Sequence, residues 1–158
     1  MNLENALNRI RSIADYQFGK GVGVKLFPEK VEIAYSKSTG RIRYVYLNGK
    51  RLVTLRPADG LFSLSIAGAR RINEKASYAR YFVIVKNNVS KFIAEGGDVF
   101  AAHVVRADNE IRPKDEVIIV DENRNVLAVG RAVLSGSEMK CFKSGVAVKV
   151  RRGCSKES

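Results

Sequence analysis

The residues best placed for chemistry in this sequence are suited to holding an anion rather than to breaking a bond. Val89, Phe92 and Ile93 recur at i, i+3, i+4, the spacing of one apolar helical face. Gly96 and Gly97 follow at once. Two bare glycines after a helix let another backbone come close, and a phosphate or sugar edge can approach with little hindrance. The same pair also fits an ordinary helix C-cap and turn. Near the C-terminus, Val146, Val148 and Val150 alternate with Ala147, Lys149 and Arg151. That pattern predicts a strand whose Lys149 and Arg151 face solvent and are available to phosphates. A second basic cluster, Lys37, Arg41 and Arg43, lies at a turn, and Arg41 and Arg43 alternate with Ile42 so that both fall on one sheet face. Arg70 and Arg71 sit in a stretch, 67–75, that can form a helix.

Nothing comparable exists for covalent chemistry. His103 is the single histidine and lies in an apolar stretch with no serine or cysteine placed beside it. Cys141 and Cys154 with His103 cannot by themselves supply a four-ligand structural zinc site. A disulfide between the two cysteines stays open on sequence. Asp15 and Asp59 have ordinary explanations at a helix end and an Asp-Gly turn. We therefore expect no catalytic set, no metal and no cofactor.

The charge points the same way. With 28 Lys+Arg against 16 Asp+Glu, the 158-residue chain carries +12 and has a pI near 10.0. Such an excess suits a polyanionic partner, nucleic acid above all. Residues 1–78 hold 14 basic and 6 acidic side chains, a net +8, and residues 79–158 hold 14 and 10, a net +4. Acidic turns at Asp108/Glu110 and Asp121/Glu122 would repel a phosphate backbone, so the binding face of the second half belongs near the glycine pair and the last basic strand. The N-terminus lacks a basic region followed by an apolar run, and apolar runs reach only about five residues, far short of a membrane span. The few cysteines point to the reducing cytoplasm.

The elements that must position these groups follow from the pattern. Leu3, Leu7, Ile10 and Ala14 predict a helix capped by Asn2. Gly19, Gly21 and Gly23 lack the preceding strand of a dinucleotide fingerprint and predict a flexible loop. Strands are expected over 31–35, 42–47, 52–55 and 61–66, with Asn48-Gly49 as a type I′ hairpin turn. Beyond a boundary near 76–80, strands are expected over 81–86, 99–106, 116–120, 126–133 and 145–151, with a turn or single helical turn at 135–138. Short strands and tight turns suggest a small, nearly closed barrel. The fold class is α+β: a helix-plus-antiparallel-sheet domain over 1–77, then a β-barrel domain over 78–158.

Five motifs run in order through the second half: Gly96-Gly97-Asp98-Val99-Phe100-Ala101, Arg112-Pro113-Lys114-Asp115-Glu116-Val117, Val129-Gly130-Arg131-Ala132, Leu134-Ser135-Gly136-Ser137-Glu138-Met139 and Gly145-Val146-Ala147-Val148-Lys149-Val150. On them this half resembles a PUA domain, an RNA-binding β-barrel. In the first half, Ala14-Asp15-Tyr16-Gln17-Phe18-Gly19, the stretch 35–43 and the stretch 55–62 resemble the segment before the PUA domain in archaeal archaeosine tRNA-guanine transglycosylase. That enzyme's catalytic barrel has no counterpart here; a (β/α)₈ barrel needs at least about 200 residues.

The resemblance implies an RNA-binding protein without catalysis of its own. Its expected partner is tRNA, at the acceptor stem and 3′ end, as the detached tail of a transglycosylase whose catalytic subunit is separate. Another structured RNA, ribosomal or guide, is the alternative. The implied RNA face comprises Lys91, Gly96, Gly97, Asp98, Val99 and Phe100, then Lys149, Arg151 and Arg152, with Arg131 beside them. Phe100 has two readings, a plate for an unpaired base or a barrel-core residue.

Overall fold

The computed structural model describes residues 2–156. They form two compact units that meet in sequence between Ala79 and Arg80.

The first unit begins with α1 (Leu3–Phe18), whose start is fixed by the Asn2 side chain accepting from the Asn5 amide at 2.9 Å. Ala6, Leu7, Ile10, Ala14 and Phe18 are its buried stripe. The glycines that follow are not a flexible loop. They enter a second short helix, α2 (Val22–Leu26), and Gly23 donates to Asp15 Oδ1 at 2.6 Å. A Cβ on Gly23 would lie 2.3 Å from the Arg11 carbonyl oxygen, so the glycine marks a close helix–helix crossing. The antiparallel meander β1 (Glu32–Tyr35), β2 (Ile42–Leu47), β3 (Lys50–Leu55), β4 (Phe62–Leu64) comes next, in that spatial order. Asn48 and Gly49 both take positive φ, 51° and 79°, as the type I′ turn requires. The fourth strand is shorter than its apolar run suggests, because Ser65 accepts from the Gly68 amide and starts α3 (Ile66–Lys75).

Phe27 and Phe62 meet edge to face at 5.5 Å in this unit's core. The buried Gln17 amide bonds both backbone groups of Phe62, at 2.9 and 2.8 Å. An unpaired amide there would be costly, so this pair locks α1 to β4.

The second unit holds β5 (Phe82–Val85), α4 (Ser90–Ala94), β6 (Val99–Phe100), β7 (Val104–Ala107), β8 (Glu116–Val120), β9 (Val126–Ala132), α5 (Gly136–Cys141) and β10 (Val146–Gly153). Its sheet order is β6-β10-β9-β8-β5-β7, antiparallel except for the β5–β8 pair. The two outermost strands, β6 and β7, are consecutive in the chain and separated only by the 3₁₀ turn Ala101–His103. The sheet must therefore curl until its ends nearly meet, which makes the barrel. The continuous strand expected over 99–106 is thus broken at a corner, where Ala101 donates to the Gly145 carbonyl. His103 lies in that turn rather than in a strand. Val83, Ile93, Val99, Val117, Ile119, Met139 and Val148 fill the barrel. The turn at 135–138 is a full short helix, α5, with Ser135 and Glu138 forming a reciprocal capping box. Both cysteines are free thiols.

Candidate nucleic-acid interface

The glycine pair closes α4 as a Schellman motif. Gly96 has φ +106°, its amide donates to the Ile93 carbonyl, and the Gly97 amide donates to the Phe92 carbonyl, each at 2.9 Å. The two glycines then differ. No atom lies within 4 Å of a Cβ built on Gly96, whereas one on Gly97 would sit 2.2 Å from the Phe92 ring. Phe92, expected on the buried helical face, is instead 55% exposed and lies over Gly97. Only Gly96 is open to a ligand backbone. Gly153 packs from β10 beneath this turn, its Cα so near that a Cβ would be 2.2 Å from the Ala94 carbonyl oxygen.

The residues after the pair separate by role. Asp98 Oδ1 accepts from the Val150 amide at 2.9 Å, tying the glycine turn to β10. Val99 is fully buried in the barrel core, so its side chain is not available to a ligand. Phe100 is 39% exposed and meets His103 edge to face at 6.2 Å, which rules out the barrel-core reading. Lys91 is exposed on α4.

Strand β10 does not keep the expected alternation. Ala147 and Val148 are both buried, and the pairing with β9 slips between Val150 and Arg152. At that bulge Arg151 turns onto the Glu116 carboxylate, Nη1 to Oε1 at 2.8 Å with Nη2 to Oε2 beside it. Glu116 is 1% exposed. Arg151 thus faces solvent as expected, but its guanidinium is engaged as the counter-charge of a buried acid. Arg152 donates to the Lys156 carbonyl at 2.9 Å. Lys149 is exposed and stands opposite Arg131, also exposed, across the β10–β9 ladder. Neither side chain has a hydrogen bond or ion pair among the described residues. Like charges held side by side on a sheet are mildly destabilising unless an anion lies between them.

In the first unit, Arg71 Nε donates to the Leu26 carbonyl at 3.0 Å, so it caps α2 rather than facing a ligand. Arg70 is exposed on α3. Arg41 and Arg43 line one cleft of about 410 Å³ together with Arg9, Arg56 and Tyr35, while Lys37 lies outside its lining. Arg9 and Arg56 went unnoticed in the sequence because they are distant along the chain from the Lys37 cluster. No group of three metal-ligating side chains occurs among the described residues. No helix there is long and apolar enough to cross a membrane.

The comparisons with known proteins divide the chain at the same place as its contacts do. Residues 8–79 match the patch-forming domain C2 of tRNA-guanine transglycosylase. Residues 81–154 match the PUA domain. The chain joins a C2 domain to a PUA domain. A tRNA-guanine(15) transglycosylase of Pyrococcus furiosus is 51% identical over 150 residues, 95% of this chain and 25% of the relative. The chain thus spans about a quarter of the length of the curated relatives it matches, corresponding to their C-terminal part. Among solved structures, a hypothetical protein of Pyrococcus horikoshii superposes with a TM-score of 0.75 at 25% identity, covering 97% of this chain and 92% of that one. A PUA domain protein of Thermoplasma acidophilum gives 0.69 at 23% identity, covering 97% and 91%, and shares the fold.

Proposed function

We propose that this C2–PUA chain is an RNA-binding module of tRNA modification that holds tRNA for a guanine-exchanging enzyme whose catalytic barrel lies outside these 158 residues. The observation that carries this reading is the Lys149–Arg131 pair on the PUA barrel, two adjacent exposed cations with no ion pair of their own among the described residues, the acid opposite Arg131 on β8, Glu116, being held by Arg151. The half-exposed Phe100 and the open Gly96 give the same barrel a stacking surface and a backbone approach. The archaeal transglycosylases that match nearly the whole chain supply the substrate class, and the acceptor stem with its single-stranded 3′ end is the part of tRNA this surface suits. Phosphate contacts fix position and Phe100 takes an unpaired base.

The test is binding of the purified chain to total tRNA at two salt concentrations, with and without the 3′ single strand. Micromolar or tighter binding that weakens with salt and with loss of the 3′ end supports the reading. Binding indifferent to the 3′ end moves the contact to the stem or to another RNA. Lys149→Ala and Arg131→Ala should each weaken binding across RNA sequences and flatten the salt slope by roughly 0.7 to 0.9. Unchanged affinity in both variants would mean that this is the wrong face.

A further inference from the structure

The cleft of the C2 unit is framed by two loops built alike. In the first, the Ser36 amide donates to the Arg41 carbonyl and the Gly40 amide to the Ser36 carbonyl, at 2.7 and 2.8 Å. In the second, the Arg56 amide donates to the Leu61 carbonyl and the Gly60 amide to the Arg56 carbonyl, each at 2.9 Å. Gly40 and Gly60 take matching positive φ values, 72° and 71°. The fourth residue of each loop closes it with a side-chain oxygen: Asp59 Oδ1 accepts from the Leu61 amide at 3.0 Å, and Thr39 Oγ1 from the Arg41 amide at 3.2 Å.

The two loops part at that position. Asp59 also holds the Arg56 guanidinium, Nε to Oδ1 at 3.1 Å and Nη2 to Oδ2 at 2.9 Å. The first loop makes the equivalent bond with a hydroxyl and so brings no negative charge. Arg41, Arg43 and Arg9 line the cleft with no ion pair or side-chain hydrogen bond among the described residues, Arg43 resting over the Tyr44 ring at 5.6 Å. Tyr35 lines the same cleft and is 43% exposed. Ile42, Leu55 and Pro57 supply apolar lining.

We propose that this cleft binds a single unpaired nucleotide, its phosphate held by Arg41, Arg43 and Arg9 and its base laid against Tyr35. Guanidinium forks match phosphate oxygens, and an exposed tyrosine offers any base a stacking face. The volume lies in the range of small-ligand pockets, which suits one nucleotide and not a duplex. The proposal rests on the RNA reading above for its natural source, an unpaired nucleotide within a folded RNA; a free mononucleotide presents the same groups.

Thr39→Asp is the decisive variant. It keeps a side-chain acceptor at the loop position where Asp59 already serves, and it places a carboxylate beside Arg41. Amide NMR shifts of the whole chain titrated with adenosine monophosphate, with inorganic phosphate and with an oligoglutamate peptide test the cleft directly. Shifts at residues 36–41 with the mononucleotide, smaller ones with phosphate and none with the peptide are expected, and Thr39→Asp should abolish them while leaving the rest of the spectrum in place. Equal response to the peptide, or no response to the mononucleotide, overturns the proposal whether or not the chain binds tRNA. A second arm compares an RNA hairpin carrying one bulged nucleotide with its fully paired twin. Tighter binding of the bulged hairpin, lost by about fivefold or more in Tyr35→Ala, assigns the RNA source. No preference for the bulge, with mononucleotide shifts intact, overturns that source and leaves a free nucleotide as the ligand.

Discussion

At the scale of single residues, the bond between Arg151 and Glu116 shows how a basic side chain can be recruited by the fold. Removing one partner of a buried pair costs about 3–5 kcal/mol because the other is left charged and unpaired. Arg151 is 38% exposed at its side chain, so water can partly replace it and a loss discounted below that range, about 2–3 kcal/mol, is expected for Arg151→Ala. The double variant Arg151→Met, Glu116→Gln should recover most of that loss in urea unfolding. Lys149→Ala should leave stability within about 0.5 kcal/mol, since nothing among the described residues depends on it. Tyr81 gives a residue-scale pH test. Burial first, then the charge of Asp115, push its phenol above the ordinary 10.0, with Arg80 opposing. A group with a raised folded pKa contributes stability that is complete below its unfolded value and disappears as pH rises through the folded one. The thermal midpoint should therefore fall as pH climbs above about 10, and Tyr81→Phe should fall less steeply over that window.

At the scale of elements, glycine positions separate turn geometry from packing. Gly96→Ala meets only the conformational cost of positive φ, about 1 kcal/mol. Gly153→Ala collides with the backbone of Ala94 and Gly96, which cannot move without opening the Schellman turn. We expect its thermal midpoint to drop several degrees further than that of Gly96→Ala in a calorimetric scan. This contrast also marks what was legible in advance. The glycine pair reads as a helix stop because C-caps have a local cause, two orphan carbonyls and a need for left-handed backbone. Strands β2 and β8 coincide with their apolar runs for the same local reason. What sequence did not yield is long-range. Val99 reads like its neighbours in a motif, yet barrel closure turns it inward. Arg151 reads as outward and free by alternation; it is outward, yet a buried acid 35 positions away holds its guanidinium. The tight crossing at Gly23 was masked because a third glycine at alternate positions resembles a loop until Arg11 is known to lie against it.

At the scale of the whole molecule, the charge is shared by both units, +8 in residues 1–78 and +4 in residues 79–158. If one RNA touches both, its counterion release is the sum over both sets of contacts, and the linked units gain from effective concentration without any new contact. Replacing Arg9 and Arg41 in the first unit, and Arg131 and Lys149 in the second, by alanine tests this. Each pair alone should flatten the salt slope by about 1.4 to 1.8, and all four together by about twice that, because the sites share no partner and their effects add. Affinity behaves differently. With both units engaged, either pair of replacements should weaken tRNA binding by far more than it weakens binding of a short hairpin that fills one unit only. Equal losses on the two RNAs would mean that the units bind independently and that the C2 charge serves a separate ligand.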